Sequence, residues 1–190
     1  MLTDSLANDL LAILFAASDP VTAQQLTAVF PEQDAGAIEA RLQAVSRQFN
    51  GLQEALEIRK VAGGYQVTTR PERHEVIREY LKTRPSAKLS PAALETLAVI
   101  AYKQPITMPE ILEIRGVKGS STIKTLLEKK LIEIRGRKKV VGRPILYGTT
   151  REFLIHFGLS ELSELPSLEE FEELINADSD SAPAQEKTAS

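Results

Sequence analysis

Seven basic side chains fall within fifteen residues: Lys129, Lys130, Arg135, Arg137, Lys138, Lys139 and Arg143. Lys118 and Lys124 add charge just upstream. Clustered cations neutralise phosphate or carboxylate groups. Their chemistry is therefore binding: to a nucleic acid, to an acidic protein, or to the chain's own acidic end. No aromatic residue interleaves the cluster to stack on bases.

Covalent and acid–base chemistry has less to work with. There is no cysteine, which removes disulfides, thiolate catalysis and cysteine-ligated metal. The two histidines, His74 and His156, are far apart, and neither has a serine nucleophile with a supporting carboxylate beside it. His74 sits among Glu72, Arg73 and Glu75 and reads as solvated. His156, in Phe153-Leu154-Ile155-His156-Phe157, reads as partly buried and hydrogen-bonded. No GxxxxGK[ST] or GxGxxG pattern occurs. Gly116-Val117-Lys118-Gly119-Ser120-Ser121 precedes a helix whose N-terminus could hold an anion. It follows a helix rather than a strand, so it reads as a capped helix start. The expectation is no enzyme, no cofactor and no metal.

Charge is strongly segregated. Residues 1–84 carry 9 Lys+Arg and 11 Asp+Glu, residues 85–160 carry 13 and 6, and residues 161–190 carry 1 and 9. The nets of −2, +7 and −8 sum to the overall −3. A basic middle and an acidic tail point to an anionic partner, to tail–body contact, or simply to solubility. Ala177 to Ser190 lacks large apolar residues and is expected to be disordered. Ser167 and Glu170 have capping-box spacing ahead of Phe171, Leu174 and Ile175, which predicts a short acidic helix. The first apolar run, Leu10 to Ala17, is far short of the ~20 residues of a membrane span. Asp4 and Asp9 precede it where a signal peptide would be basic. A cytoplasmic protein with no membrane contact is expected.

The elements that would hold the basic cluster come in a repeated order. Pro20-Val21-Thr22 parallels Pro105-Ile106-Thr107, Leu56-Glu57-Ile58-Arg59 parallels Ile132-Glu133-Ile134-Arg135, and Tyr65 to Arg70 parallels Tyr147 to Arg151. In the first copy, Leu6, Leu10, Ile13, Leu14 and Ala17 mark a helix. Thr22 and Gln25 cap a second. Ile38, Leu42, Val45 and Phe49 mark a third. Leu56–Val61 and Tyr65–Thr69 then form strands around an Ala62-Gly63-Gly64 turn. In the second copy, Ser90 and Pro91 open a helix whose buried face is Leu94, Leu97, Ala98 and Ala101. Thr107 and Glu110 cap the next, and Ile123, Leu126 and Leu127 carry the third. Leu131–Arg135 and Ile145–Thr149 flank a Gly136–Gly142 loop, and Ile132, Ile134, Ile145 and Tyr147 must pack on the helices.

Three helices followed by a hairpin is the winged-helix arrangement. The predicted fold is mainly α with small β-hairpins (α+β), built as two tandem winged-helix domains, 1–84 and 85–160, with an acidic tail over 161–190. Arg73 to Leu81 is a connecting helix ended by Arg84-Pro85-Ser86. The third helix and the wing are the usual nucleic-acid-facing parts of such a domain, so Lys118, Lys124, Arg137, Lys138, Lys139 and Arg143 are the candidate contacts to DNA or an acidic partner. The first helix carries Leu10, Leu11, Leu14 and Phe15 with little polar face, more than one side of a small domain can bury. These four are candidate dimer-interface residues. The alternative is burial beneath the connecting helix.

The run Leu89-Ser90-Pro91-Ala92-Ala93-Leu94-Glu95-Thr96-Leu97-Ala98-Val99-Ile100-Ala101-Tyr102-Lys103-Gln104-Pro105-Ile106-Thr107 closely resembles the signature of the segregation and condensation protein B family. So do Glu113-Ile114-Arg115-Gly116-Val117 and the stretch Gly142-Arg143-Pro144-Ile145-Leu146-Tyr147-Gly148-Thr149-Thr150-Arg151-Glu152-Phe153, in which Pro144 suits an edge position. The resemblance covers about residues 5–175 and is dense in the second copy. It implies a non-enzymatic subunit of the bacterial condensin-like complex, with two winged-helix domains per protomer paired through the N-terminal ones. The dimer would grip the kleisin subunit, segregation and condensation protein A, and through it the SMC ATPase, which supplies the ATP hydrolysis. Such a protein acts at the nucleoid in chromosome condensation and segregation, with at most weak, non-specific DNA contact. The rival reading is a stand-alone DNA-binding transcriptional regulator.

Overall fold

The computed structural model describes residues 5–81, 89–116, 120–167 and 170. The expected helix end at Arg84–Ser86, the acidic helix beyond Ser167 and the tail from Ala177 lie outside them, apart from Glu170. Among the described residues are eight α-helices and two small antiparallel sheets, a mixed α/β protein.

The first half runs α1 (Ser5–Ala16), α2 (Ala23–Leu26), α3 (Ala35–Leu52), β1 (Leu56–Val61) and β2 (Gly64–Thr69). Its core is Leu10, Leu14, Leu26, Ile38, Leu42, Val45, Ile58 and Tyr65. Each fully buried aliphatic side chain contributes about 1.5–3 kcal/mol of transfer free energy. Local signals set the helix starts. The Thr22 hydroxyl accepts from the Gln25 amide at 3.2 Å, and the Gln25 side chain accepts from Thr22 N–H at 2.9 Å. Asp34 accepts from Ala37 N–H at 2.8 Å. Val61 pairs with Gly64, leaving Ala62 and Gly63 as a two-residue turn at φ +49° and +73°. This positive-φ pair matches the right-handed twist of the strands. Gly64 is required for another reason: a Cβ there would meet the Val21 backbone at 2.9 Å. Val21 and Tyr65 exchange two main-chain hydrogen bonds of 2.9 and 2.8 Å across that approach.

β1 is also held from α3. The Asn50 amide donates to Ile58 O at 3.0 Å and accepts from Ile58 N–H at 2.7 Å. After β2, a 3-10 turn (Pro71–Arg73) leads into α4 (His74–Leu81). Arg70 donates to the carbonyls of Gln53 and Asn50, and Arg73 to that of Glu54. No residue of α4 is buried; it packs chiefly on the turn before it rather than over α1.

The second half runs α5 (Pro91–Lys103), β3 (Ile106–Thr107), α6 (Met108–Arg115), α7 (Ser120–Glu128), β4 (Ile132–Arg137), β5 (Ile145–Thr149), α8 (Arg151–Phe157) and a 3-10 turn (Leu162–Glu164). The sheet order is β3-β5-β4. Leu97, Ile100, Ile111, Ile123, Leu126, Ile132, Tyr147 and Phe153 centre its separate core.

Three expectations are corrected here. The buried face of α5 is Ala93, Thr96, Leu97, Ile100 and Ala101, while Leu94 and Ala98 are exposed. Thr96 is tolerated inside because its hydroxyl donates to Ala92 O at 2.8 Å. Ile134 is 57 % exposed, because β4 is the outer strand of its sheet and only its first residue is buried. Pro144 precedes β5, which is the central strand rather than an edge. β4 runs to Arg137 through a bulge between Ile134 and Gly136, where φ reaches +136° at Gly136.

Candidate partner-binding surfaces

The basic hairpin is built from β4, β5 and their connecting loop. Lys138 N–H donates to Pro144 O and Arg143 N–H to Val140 O, both at 2.9 Å, which closes the loop on itself. Gly142 and Arg143 take φ of +83° and +40° there. Much of the cluster's charge is spent inside the chain. The Lys138 ammonium is hydrogen-bonded to Glu110 Oε1. The other Glu110 oxygen accepts from the Thr107 N–H at 2.9 Å and hydroxyl at 2.6 Å, capping α6. Lys138 first, then Thr107, hold the Glu110 carboxyl down at about 2. Arg137 donates to Arg143 O at 3.0 Å. Arg135 donates to Thr149 O at 2.8 Å and pairs with Glu133 at 3.1 Å. Lys124 pairs with Glu128 one helical turn on, at 3.8 Å.

Of the six candidate basic contacts, Lys118 lies outside the described residues. Lys124, Arg137 and Lys138 have partners within the chain. Lys139 and Arg143 remain as side chains open to a partner, flanking Val140 and Val141, which are 49 % and 103 % exposed. The tip is thus two cations around an apolar pair, with no aromatic ring. The sequence shows the Thr107–Glu110 cap but not the second use of Glu110, because Lys138 reaches it across 28 positions.

The second surface is on α1. Leu10 and Leu14 are 0 % and 2 % exposed and belong to the chain's own core, which removes them from the candidate dimer interface. They face inward because α1 crosses α3 and β2 on that side. Leu11 is partly buried, and Phe15 is 78 % exposed. Leu11, Ala12 and Phe15 form one wall of an open groove of about 380 Å³ whose other lining includes Phe49, Leu56 and Val67. Its polar lining is the neutral amides of Asn8 and Gln53.

The remaining polar sites are structural. Tyr65 donates to Glu39 at 2.9 Å, and Lys60 also donates to Glu39, at 2.8 Å. Burial, then the Glu39 carboxylate, pushes the Tyr65 phenol up to about 12. His74 is exposed, as its neighbours suggest. His156 is exposed too, edge-on to Phe157 at 5.2 Å, where the sequence suggests partial burial; it lies on the solvent side of α8. Among the described residues no group of three or more His, Cys, Asp or Glu is placed to hold a metal ion. None of their helices is long and apolar enough to cross a membrane.

The family model described as "Segregation and condensation complex subunit ScpB" matches residues 8–168. A relative from Symbiobacterium thermophilum, named segregation and condensation protein B, is 51 % identical over 160 residues, covering 83 % of this chain and 71 % of its own. One of the same name from Desulforamulus reducens is 48 % identical over 168 residues, covering 88 % and 92 %. Among solved structures, ScpB from Mycobacterium tuberculosis is 33 % identical over 82 % of this chain and 96 % of that one, with a TM-score of 0.39.

Proposed function

The chain belongs to the segregation and condensation complex subunit ScpB family and serves in that complex; from that premise we propose that it is a non-enzymatic scaffold, a homodimer that binds the kleisin subunit. Each protomer consists of two tandem winged-helix domains, 1–84 and 85–160, followed by the acidic tail. The N-terminal domains pair, and the kleisin, segregation and condensation protein A, connects the dimer to the SMC ATPase at the nucleoid. The complex condenses and segregates the chromosome. The chain itself needs no cofactor.

The observation that carries this reading is the unbroken family match from residue 8 to 168, which spans both three-helix-and-hairpin halves. The apolar, uncharged groove on α1 supports the pairing role of Leu11 and Phe15. The Lys138–Glu110 ion pair, which holds the basic loop against α6, favours a protein scaffold over a DNA-reading regulator. Among the described candidates Lys139 and Arg143 are the side chains left for DNA, and such contact is weak, salt-sensitive and indifferent to sequence.

Co-expression with the central part of the kleisin from the same organism tests the proposal. The two should co-elute at moderate salt from size exclusion. No co-elution, together with a gel shift showing one preferred site at tens of nanomolar or tighter, would transfer the protein to the regulator class.

A further inference from the structure

We propose that the groove at the C-terminal end of α5 is a helix-binding site, and that the chain fills it with its own acidic segment, residues 171–176. Phe171, Leu174 and Ile175 face inward, Glu172 and Glu173 outward. Seated there, the segment keeps the groove closed to any other helix of the same pattern. This holds whether or not the chain pairs with a second copy or binds a kleisin.

The groove is open, about 490 Å³, and its apolar lining is Ala101, Tyr102, Leu162, Leu165 and Pro166. Leu162 and Leu165 pack on the core of the second half, which fixes the floor. The Tyr102 hydroxyl donates to Pro166 O at 2.7 Å and ties the rim to α5. Tyr102 is nonetheless 39 % exposed. An aromatic ring left open beside leucines is the kind of surface that an amphipathic helix covers.

The chain itself supplies such a helix. Ser167 and Glu170, both in the groove lining, cap each other. The Ser167 N–H donates to Glu170 Oε2 at 2.7 Å, and the Glu170 N–H donates to the Ser167 hydroxyl oxygen at 3.1 Å. This reciprocal cap opens a helix, and Glu170 is already helical. Carried on, the helix brings Phe171, Leu174 and Ile175, three and four residues apart, onto one face. A helix this short is not stable in water unless that face is packed.

Place and chemistry select this occupant. Phe171 follows directly on a residue of the groove wall, so no linker has to be spanned. A tether that short corresponds to an effective concentration in the mM range. Beyond Glu170, Phe171, Leu174 and Ile175 are the only large apolar side chains in the sequence. The one charge in the groove lining is the Glu170 carboxylate, already engaged by Ser167. A nucleic acid would therefore find no cation there, while an apolar helix face finds tyrosine, leucine and proline. An aromatic side chain buries roughly 150–250 Å², which makes Phe171 the anchor. A foreign helix of the same pattern can enter only by displacing it.

The chain has no tryptophan, so Phe171→Trp in the full-length protein is a single fluorescent reporter. Its emission should be blue-shifted and shielded from acrylamide. Adding Leu174→Asp on the helix, or Tyr102→Ala in the groove, should return both readings to those of an exposed tryptophan with the melting transition retained. Adding Glu173→Gln, on the outward face, should change neither. The spectrum of an exposed tryptophan in Phe171→Trp itself would overturn the seating. A labelled peptide of residues 167–177 should bind full-length Phe171→Asp/Leu174→Asp at least about tenfold more tightly than the parent, whose own segment competes. Equal binding to the two would overturn the closure of the groove. The chain also lacks cysteine, so a short bis-maleimide on Ser163→Cys/Asn176→Cys should link within one chain. A link that instead joins two chains would place a second copy's segment in the groove and overturn the assignment of the chain's own.

Discussion

Replacing Gly64 by alanine should destabilise the protein by about 2 kcal/mol, while the same replacement at Gly51 should stabilise it by about 0.5–1 kcal/mol. A Cβ on Gly64 would stand 2.9 Å from both the carbonyl carbon and the oxygen of Val21, and 3.0 Å from the Pro20 carbonyl carbon. These are main-chain atoms, so no side chain can swing aside. The strand or the Val21 segment must shift by about half an ångström, against the two Val21–Tyr65 hydrogen bonds. Overpacking of this kind costs about 1–3 kcal/mol, and a weakened hydrogen bond up to about 1 more. The stiffer unfolded chain returns about 0.4–1 kcal/mol. Gly51 lies in the last turn of α3 with nothing within 4 Å of its would-be Cβ, so there only the helix-propensity gain of alanine operates. Thermal unfolding followed by circular dichroism reads both. In a cooperative unit of 60–100 residues each kcal/mol is worth about 4–8 °C, so the Gly64 variant should melt about 10 °C lower and the Gly51 variant a few degrees higher. A Gly64→Ala midpoint at or above that of the parent would refute the close approach of β2 to residues 20–21. It would also undermine the placement of Val67, on the same strand, in the groove wall.

Acid should weaken the contact between the second hairpin and α6. Glu110 has a carboxyl held below its ordinary 4.5, at about 2, so its contribution is complete above pH 4.5 and fades as pH falls toward 2. Comparing melting temperatures of the parent and Glu110→Gln from pH 6 to pH 3 should show the parent losing its advantage across that window, and parallel curves would count against the link. In alkali Tyr65 should ionise late, because burial and then the Glu39 carboxylate push its phenol up to about 12. That preference for the neutral form adds stability below pH 10 and is lost as pH rises from 10 to 12. Ultraviolet titration of Tyr65→Phe should lack the late step, and an unchanged titration would contradict the buried Tyr65–Glu39 contact. Lys139→Glu/Arg143→Glu should weaken DNA binding by the isolated protein yet leave kleisin co-elution intact, since exposed ion pairs contribute only about 0–1 kcal/mol each. Loss of the kleisin complex in that folded variant would make the wing the primary docking surface.

What could be read in advance divides by the range of the interaction. The caps at Thr22, Ser90, Thr107 and Ser167 are contacts across three residues, and each was visible as a residue type at a fixed offset. The Ala62-Gly63 turn and the periodic faces of α1 and α3 are equally local. The two-residue strand β3 is different: Ile106 and Thr107 become a strand only because Tyr147 and Leu146 lie beside them. The face of α5 lies one position from where the periodic pattern puts it, because Ala93 and Thr96 are small enough for close packing while the pattern favours the larger Leu94. At the sites, leucine types on α1 announce an apolar surface, but only the packing of α3 and β2 tells Leu10 and Leu14 from Leu11 and Phe15. The basic cluster likewise shows its charge in the sequence, but not that Glu110 and main-chain carbonyls hold Arg135, Arg137 and Lys138.

The Asn50 amide on β1 bears on how this protein avoids self-templating. An outer strand offers unpaired N–H and C=O groups on which a foreign strand can grow into an aggregate. Asn50 occupies both outward groups of Ile58, and the Ser46 hydroxyl also donates to the Ile58 carbonyl, at 3.0 Å. The middle of that edge is therefore occupied as if by a neighbouring strand. The outer edge of β4 is guarded differently, by a bulge and by Glu133, Arg135 and Arg137. An Asn50→Leu chain would keep its helix and lose this protection, so its first defect should be turbidity on concentration.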